Sequence, residues 1–327
     1  MNKRPTDMSE QKRILITRRV PDAVTARALG SYRATINAAD DPYPAQDMLA
    51  RAQGMDGVLC TITNDMGRDV IMALPDSVKI IATFSVGFEH IDLGAARERG
   101  IVVTNTPGVL TDATADIALL LLLGAARRVA EGTRLIAEGW TGWTPTQLMG
   151  IEVAGKRLGI VGMGDIGRAV AKRARAFGMD IHYFNRNRLS ADLEHGATFH
   201  QTLDSLLPAS DFLSLHCPLN DETRHLLNAE RIALLPPHPV VINTARGPVV
   251  DDAALIAALK SGRVAAAGLD VFEGEPNIAP GYHDCPTAFL LPHLGSATIE
   301  TRNAMGFRAL DNLDAFFAGV EPANRIA

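Results

Sequence analysis

Apolar runs of four or five residues alternate with longer segments of mixed polarity along most of the chain. Such runs predict buried strands, and intervening segments such as residues 45–51 are compatible with helices. Strands that alternate with helices indicate a parallel sheet with right-handed crossovers. In the N-terminal part of the chain, the predicted strands are Arg13–Thr17, Gly57–Cys60, Lys79–Thr83 and Ile101–Thr104.

The alternation stops at Asn105–Gly108 and resumes after residue 150. Between these points, Thr111 or Asp112 is predicted to cap one long helix from Ala113 to Ala137. Its segment Leu119–Leu123 is apolar on every side, so it needs cover from the rest of the chain or from a second subunit. We favour a helix that contributes to a homodimer interface.

A second α/β region follows the loop Glu138–Pro145, which carries Trp140 and Trp143 outward as a candidate contact arm. A closing helix, Thr298–Ala318, is expected to cross back to the N-terminal region, which lacks a closing partner. The predicted strands of the second region are Leu158–Val161, Met179–Phe184, Phe212–His216, Val240–Thr244, Ala266–Val271 and Phe289–Leu291.

A G-x-G-x-x-G motif lies between the first of these strands and a helix-compatible segment. This arrangement cradles a dinucleotide pyrophosphate, because the glycines allow a tight turn and a close backbone approach, and the helix N-terminus attracts the anion. The predicted cofactor-binding residues of the motif are Gly162, Met163, Gly164, Asp165, Ile166 and Gly167.

The end of the next strand bears on the choice of cofactor. An NAD-binding unit presents Asp or Glu there to the ribose 2′-hydroxyl, but this chain has Asn185, Arg186, Asn187 and Arg188. A guanidinium at this place attracts a 2′-phosphate. We therefore expect NADP(H) to be preferred, with NAD(H) possible; the alternative is a solvated basic loop that binds nothing.

Length and charge limit the classes of function. A chain of 327 residues is expected to form two domains. The formal charge of −5 gives no reason to expect binding to nucleic acid or to a membrane surface. The longest apolar run, residues 117–126, is too short to span a membrane. Residues 1–12 are expected to be a frayed, polar leader without a secretory signal.

The cysteines and histidines show no metal-binding pattern. Cys60, Cys217 and Cys285 lack paired spacing, which fits a reducing, cytoplasmic environment and predicts no metal site. His216 is expected to pack near the cofactor rather than to act in catalysis. The remaining histidines outside position 293 are expected to be structural or on the surface.

Three polar residues follow predicted strands, at the edge of the sheet where ligands bind in doubly wound folds. Arg246 offers a planar guanidinium that suits a carboxylate. His293 and Glu275 form a possible acid and base, because a neighbouring carboxylate stabilises a protonated imidazole. Each also has a simpler interpretation, respectively as a surface ion-pair member, a helix or turn cap, and a turn carboxylate.

Five segments in order resemble the successive signatures of the D-isomer-specific 2-hydroxyacid dehydrogenases: residues 158–167, 211–219, 242–247, 269–276 and 292–298. The resemblance covers nearly the whole chain. Residues 139–143, together with Asn185 and Arg186, most resemble the glyoxylate/hydroxypyruvate reductase branch.

The resemblance implies two doubly wound parallel-sheet domains. A Rossmann dinucleotide-binding domain, residues 107–293, is inserted in a flavodoxin-like substrate domain, residues 1–106 and 294–327. It also implies hydride transfer between NADP(H) and a small 2-keto or 2-hydroxy acid, by reduction of glyoxylate or hydroxypyruvate. Other D-2-hydroxyacid substrates, phosphite, a phosphorylated hydroxy acid, or a non-catalytic dinucleotide-responsive protein remain alternatives.

The resemblance further assigns roles to individual residues. Arg246 would bind the substrate carboxylate and polarise the keto oxygen, and Glu275 would support His293 as acid and base. Two departures from the family pattern are Leu235–Pro239, in a loop entry, and Asn187, where the family often has Ser or Thr. The other implied positions are Val86, Gly87 and, from a partner subunit, Trp143 for the substrate, and Cys217, Pro218, Thr244, Ala245, Asp270 and Gly295 for the cofactor.

Overall fold

The computed structural model describes residues 11–327, so most of the predicted polar leader lies outside the described residues. The chain divides into two compact units. The first unit runs to Leu110 and includes Thr298–Ala327, and the second unit is Thr111–Ala297.

Both units are built from short strands and helices. The strands are β1 Arg13–Ile16, β2 Arg33–Ile36, β3 Gly57–Cys60, β4 Ile80–Thr83, β5 Val102–Thr104, β6 Arg157–Val161, β7 Asp180–Phe184, β8 Thr198–His200, β9 Phe212–Leu215, β10 Val240–Asn243, β11 Ala266–Leu269 and β12 Ala288–Leu290. The helices are α1 Asp22–Ser31, α2 Ala45–Arg51, α3 Arg68–Ala73, α4 Leu93–Glu98, α5 Thr111–Ala126, α6 Val129–Glu138, α7 Asp165–Ala176, α8 Ala191–Glu194, α9 Leu203–Leu206, α10 Ala229–Leu234, α11 Asp252–Lys260 and α12 Ile299–Phe317.

The first unit contains a five-stranded parallel sheet in the order β2-β1-β3-β4-β5. This is the flavodoxin-like order. The three inner strands are buried along their length apart from the first residue of β1, because helices cover both faces. The closing helix α12 packs in this unit, against β4 and α1.

The second unit contains a seven-stranded parallel sheet in the order β12-β11-β10-β9-β6-β7-β8. Counted from β6, this is the Rossmann order with one additional strand. The order reverses between β6 and β9, and ligands bind beyond the carboxyl ends of the strands at such a point. The predicted fold class, two doubly wound parallel sheets, is confirmed.

Two strands were not predicted from the sequence. Both β2 and β8 lie at a sheet edge, and their residues are only partly buried or exposed. An edge strand has one neighbour and needs no continuous apolar run, so the pattern that identified the inner strands is absent.

The prediction of one long helix over residues 113–137 is wrong. The chain forms α5 and α6, and Arg128 between them has left-handed backbone angles, φ 55° and ψ 41°. Its guanidinium makes two hydrogen bonds to Glu131, at 2.8 and 2.6 Å, in the first turn of α6. The buried helix α5 therefore ends before α6 begins, and none of the residues of α6 is buried.

The all-apolar segment of α5 is covered mainly by its own unit, through α7, β10 and β11. Leu121 and Leu122 are buried, whereas Leu120 is 46% exposed. Trp140 and Trp143 are exposed, as predicted, at 49% and 72%. Within residues 11–327, no helix combines the length and apolar character needed to cross a membrane.

Candidate active site

The glycine motif forms a sharp turn between β6 and α7. Gly162 has φ of 93°, a backbone conformation that residues with a Cβ rarely adopt. A Cβ at Gly167 would lie 2.3 Å from the carbonyl oxygen of Gly162, so α7 packs directly on the turn. A Cβ at Gly164 would meet open space, and Gly164 precedes the first residue of α7 without a side-chain cap. This turn fits a dinucleotide pyrophosphate, which the first amides of the helix would bind.

The predicted 2′-phosphate segment follows β7 and contacts the glycine turn. The backbone N–H of Met163 donates to Oδ1 of Asn185 at 2.6 Å. Arg186 and Asn187 are exposed, and within the part of the chain that is described Arg186 makes no hydrogen bond or ion pair. Arg188 instead pairs with Glu194, with Nε and Oε1 2.8 Å apart.

The segment after β9 lies against the same turn. A Cβ at Gly162 would be 2.7 Å from the backbone nitrogen of Cys217, which is itself buried, and exposed Pro218 follows. His216 contacts the hydroxyl of Ser214 at 2.7 Å and that of Thr244 at 3.2 Å. Burial lowers the pKa of His216 to about 4, so this imidazole is neutral near pH 7.

His293 and Glu275 lie together at the carboxyl end of the sheet. Nδ1 of His293 is 2.8 Å from Oε2 of Glu275, and the two side chains are 30% and 31% exposed. Oε1 of Glu275 accepts a hydrogen bond from the backbone N–H of Phe272 at 2.7 Å. Burial raises the pKa of Glu275, but the contact with His293, the Phe272 amide and the charge of Arg246 outweigh burial and lower it overall.

Arg246 follows β10 and lies near this pair. Its Nη1 donates to the carbonyl oxygen of Ala245 at 2.7 Å, which fixes one side of the guanidinium. A Cβ at Gly247 would come within 1.8 Å of the backbone carbon of Phe272, so the turn that carries Arg246 packs against the loop that carries Glu275. This packing brings the predicted residues Arg246 and Glu275 into one region.

Asp270 anchors the turn that presents His293. Its carboxylate accepts the backbone N–H groups of Leu294, at 2.6 Å, and of Gly295, at 2.7 Å. His293 has φ of 54°, a left-handed conformation that costs free energy in a residue other than glycine. Burial raises the pKa of Asp270, against these two amides and the charge of His293, which lower it. The contacts of Asp270 hold the strained backbone in place.

Asp252 supports the loop that carries Glu275 and was not singled out from the sequence. It is buried, and its carboxylate accepts a hydrogen bond from the hydroxyl of Tyr282 at 2.7 Å and one from the N–H of Glu273 at 3.3 Å. In the sequence, Asp251–Asp252 is typical of a helix start, and Asp251 does cap α11. Nothing in that pattern shows that the second carboxylate turns inward.

The predicted substrate loop follows β4 in the first unit. The carbonyl oxygen of Val86 accepts from Nδ2 of Asn105 at 2.8 Å, and that of Gly87 accepts from the hydroxyl of Ser85 at 2.6 Å. Both carbonyls are thus held by the unit itself. Among residues 11–327, the N–H groups of Val86 and Gly87 have no acceptor, so they can receive an anion.

Metal ligands do not gather anywhere in the described part of the chain: no three His, Cys, Asp or Glu side chains lie where they could hold an ion. The three cysteines are free and buried.

Comparison with known proteins matches the D-isomer specific 2-hydroxyacid dehydrogenase NAD binding domain to residues 119–295. Glycerate dehydrogenase of Hyphomicrobium methylovorum is 46% identical over 320 residues, which is 97% of this chain and 99% of that protein. Glyoxylate reductase of Thermococcus litoralis is 42% identical and covers 96% of both chains. The crystal structure of an NADPH-dependent glyoxylate/hydroxypyruvate reductase from Sinorhizobium meliloti, in complex with NADP and malonate, has 35% identity, a TM-score of 0.88 and 97% coverage of both chains.

Proposed function

The chain belongs to the D-isomer-specific 2-hydroxyacid dehydrogenase family, and from this membership we propose that it reduces glyoxylate and hydroxypyruvate with NADPH. It is a 2-hydroxyacid oxidoreductase that uses a nicotinamide dinucleotide. The observation that carries the proposal is the 2.8 Å contact between His293 and Glu275 beside Arg246.

His293 acts as the general acid in the proposed reduction. The glycine turn would hold the dinucleotide, whose reduced nicotinamide would supply the hydride, and negative charge would develop on the keto oxygen of the substrate. Because Glu275 engages Nδ1 of His293, the proton is delivered from Nε2. In the oxidative direction the same nitrogen accepts the proton from the hydroxyl group.

Arg246 binds and polarises the substrate in this proposal. Its guanidinium is anchored on the carbonyl of Ala245 and presents a planar donor set to a carboxylate and a keto oxygen. The positive charge is fixed before the reaction and stabilises the developing alkoxide without reorganisation. The N–H groups of Val86 and Gly87 are proposed to hold the substrate carboxylate.

Arg186 is proposed to select NADPH. Both Arg186 and Arg188 are exposed in the place where NAD-binding units have an acidic residue, but Arg188 is paired with Glu194 and Arg186 has no partner among the described residues. The Sinorhizobium meliloti reductase, which is described as NADPH-dependent, supports this preference by analogy. NADH remains usable in the proposal, because the glycine turn would bind the pyrophosphate that both cofactors share.

We also propose a cytoplasmic homodimer in which residues 1–106 and 294–327 form the substrate domain and residues 107–293 bind the dinucleotide. The exposed Trp140 and Trp143 support a subunit contact, with Trp143 reaching the partner's active site. The free cysteines are compatible with a reducing compartment.

The test is a spectrophotometric assay at 340 nm with NADPH and NADH, each with glyoxylate, hydroxypyruvate, pyruvate and a phosphorylated hydroxypyruvate. Oxidation of phosphite with NADP or NAD is measured separately. We expect the highest kcat/KM with NADPH and one of the first two substrates. Turnover of phosphite or of the phosphorylated acid alone would refute the proposed substrate class, and no turnover of any substrate would refute the proposed reaction.

A further inference from the structure

Glu194 is a buried carboxylate that no step of the proposed reaction uses. Its side chain is 8% exposed and lies at the end of α8. It accepts a hydrogen bond from the hydroxyl of Tyr183 at 2.6 Å and two from Arg188, at 2.8 Å from Nε and 3.1 Å from Nη2. A buried carboxylate with three charge-assisted or short contacts is held firmly in one position.

Hydrogen bonds also fix both ends of the segment that follows β7, residues 185–189, which we call the basic loop. At its start, Asn185 accepts from the backbone N–H of Met163 at 2.6 Å. At its end, the N–H of Leu189 donates to the hydroxyl of Tyr183 at 3.1 Å. Both ends of the basic loop are therefore tied to rigid elements, the glycine turn and β7.

The two arginines of the basic loop, Arg186 and Arg188, differ in whether their charge is paired. Hydrogen bonds from Arg188 and then from Tyr183 lower the pKa of Glu194, so the carboxylate remains ionised and compensates the charge of Arg188. Arg188 also lies over the ring of Phe199, with 5.8 Å between its guanidinium carbon and the ring centre. Arg186 has no such partner among the described residues.

We propose that Glu194 is a positioning residue for cofactor selection: by fixing Arg188 and Tyr183 it holds the basic loop so that Arg186 faces the 2′-phosphate of NADPH. The inference rests on the proposed NADPH preference. Glu194 touches neither cofactor nor substrate in this proposal. Its effect is to remove in advance the cost of ordering the loop, a cost that otherwise weakens binding.

The experiment measures dissociation constants for NADPH and NADH by the fluorescence of the reduced nicotinamide, in wild type and in Glu194→Gln. Loss of preorganisation should weaken NADPH about 3- to 10-fold, while NADH stays within about twofold. kcat at saturating NADPH should not change. Arg188→Met, at an exposed position, should give the same selective loss of NADPH affinity. This variant tests the inference even if Glu194→Gln does not fold.

The double variant distinguishes positioning from independent effects. If the two side chains act as one unit, the loss in Glu194→Gln with Arg188→Met equals that in either single variant, rather than their product. Arg186→Met is the positive control, because it removes the proposed phosphate contact itself and should weaken NADPH more strongly than either single variant.

Three results would overturn the inference while leaving the proposed NADPH preference intact. Tighter NADPH binding in Glu194→Gln would show that the carboxylate only withholds Arg188 from the phosphate. Equal weakening of NADPH and NADH would show a purely structural role. Unchanged dissociation constants for NADPH and NADH in both single variants would show that the contacts between Glu194 and Arg188 do not affect cofactor selection. A wild type without NADPH preference would instead overturn the proposed preference, and this inference with it.

Discussion

His216 should make the second unit sensitive to moderate acid. Its pKa in the folded protein is about 4, because burial disfavours the charged imidazole. An imidazole in the unfolded chain has a pKa of about 6.5. Between pH 6.5 and pH 4, His216 is therefore protonated in the unfolded chain but remains neutral in the folded protein. Above about pH 6.5 His216 is neutral in both states and does not affect the free energy of unfolding. As the pH falls from 6.5 toward 4, protonation of the unfolded chain lowers the free energy of unfolding.

The size of the effect follows from the difference between the two pKa values. Between pH 7 and pH 5, this single group should lower the free energy of unfolding by about 2 kcal/mol. The measurement is urea unfolding followed by fluorescence at several pH values, for wild type and for His216→Gln. Glutamine does not titrate, and its amide can retain the contact that His216 makes with Ser214.

Other groups also titrate in this range, so the informative quantity is the difference between the two pH profiles. His216→Gln should lose about 2 kcal/mol less than wild type from pH 7 to pH 5, whatever its absolute stability. His283→Gln, at an exposed position, controls for the removal of one imidazole. Parallel profiles for His216→Gln and wild type would refute the argument.

Three further predictions concern the site. His293→Asn should lower kcat about 10²- to 10⁴-fold while the dissociation constant for NADPH is unchanged, because only the general acid is lost; steady-state kinetics with full activity would reject the role. Arg246→Lys should mainly raise KM for the keto acid, since an ammonium cannot make the forked contact, and a fall in kcat at normal KM would contradict this. Gly167→Ala should weaken NADPH and NADH together in a fluorescence titration, because the added Cβ would lie 2.3 Å from the oxygen of Gly162; unchanged binding would show that the turn yields easily.

The inner strands and the glycine turn could be predicted because each depends on local sequence. A buried parallel strand needs a continuous apolar run, and the turn between β6 and α7 needs glycine at Gly162 and Gly167. The break at Arg128 could not be predicted, since a left-handed arginine has no sequence signature of its own. The edge strands β2 and β8 lack an apolar run and could not be predicted, whereas the edge strands β5 and β12 retain one.

The candidate site divides in the same way. Arg246, Glu275 and His293 could be named because their chemistry is specific and each follows a strand. Glu194 and Asp252 could not, because their importance lies in burial and in partners distant in sequence, such as Tyr282 for Asp252. A carboxylate near a helix end is usually a solvated group, and only the folded chain shows which ones point inward.

The two hydrogen bonds that Asp270 accepts from successive backbone amides bear on how the site is prepared for a substrate. Because the strained backbone at His293 is secured during folding, no loop has to be assembled around the imidazole each time a substrate arrives. The entropic cost of ordering His293, the proposed proton donor, is therefore met during folding. If His293 is the donor, each catalytic cycle begins with its imidazole already held in position.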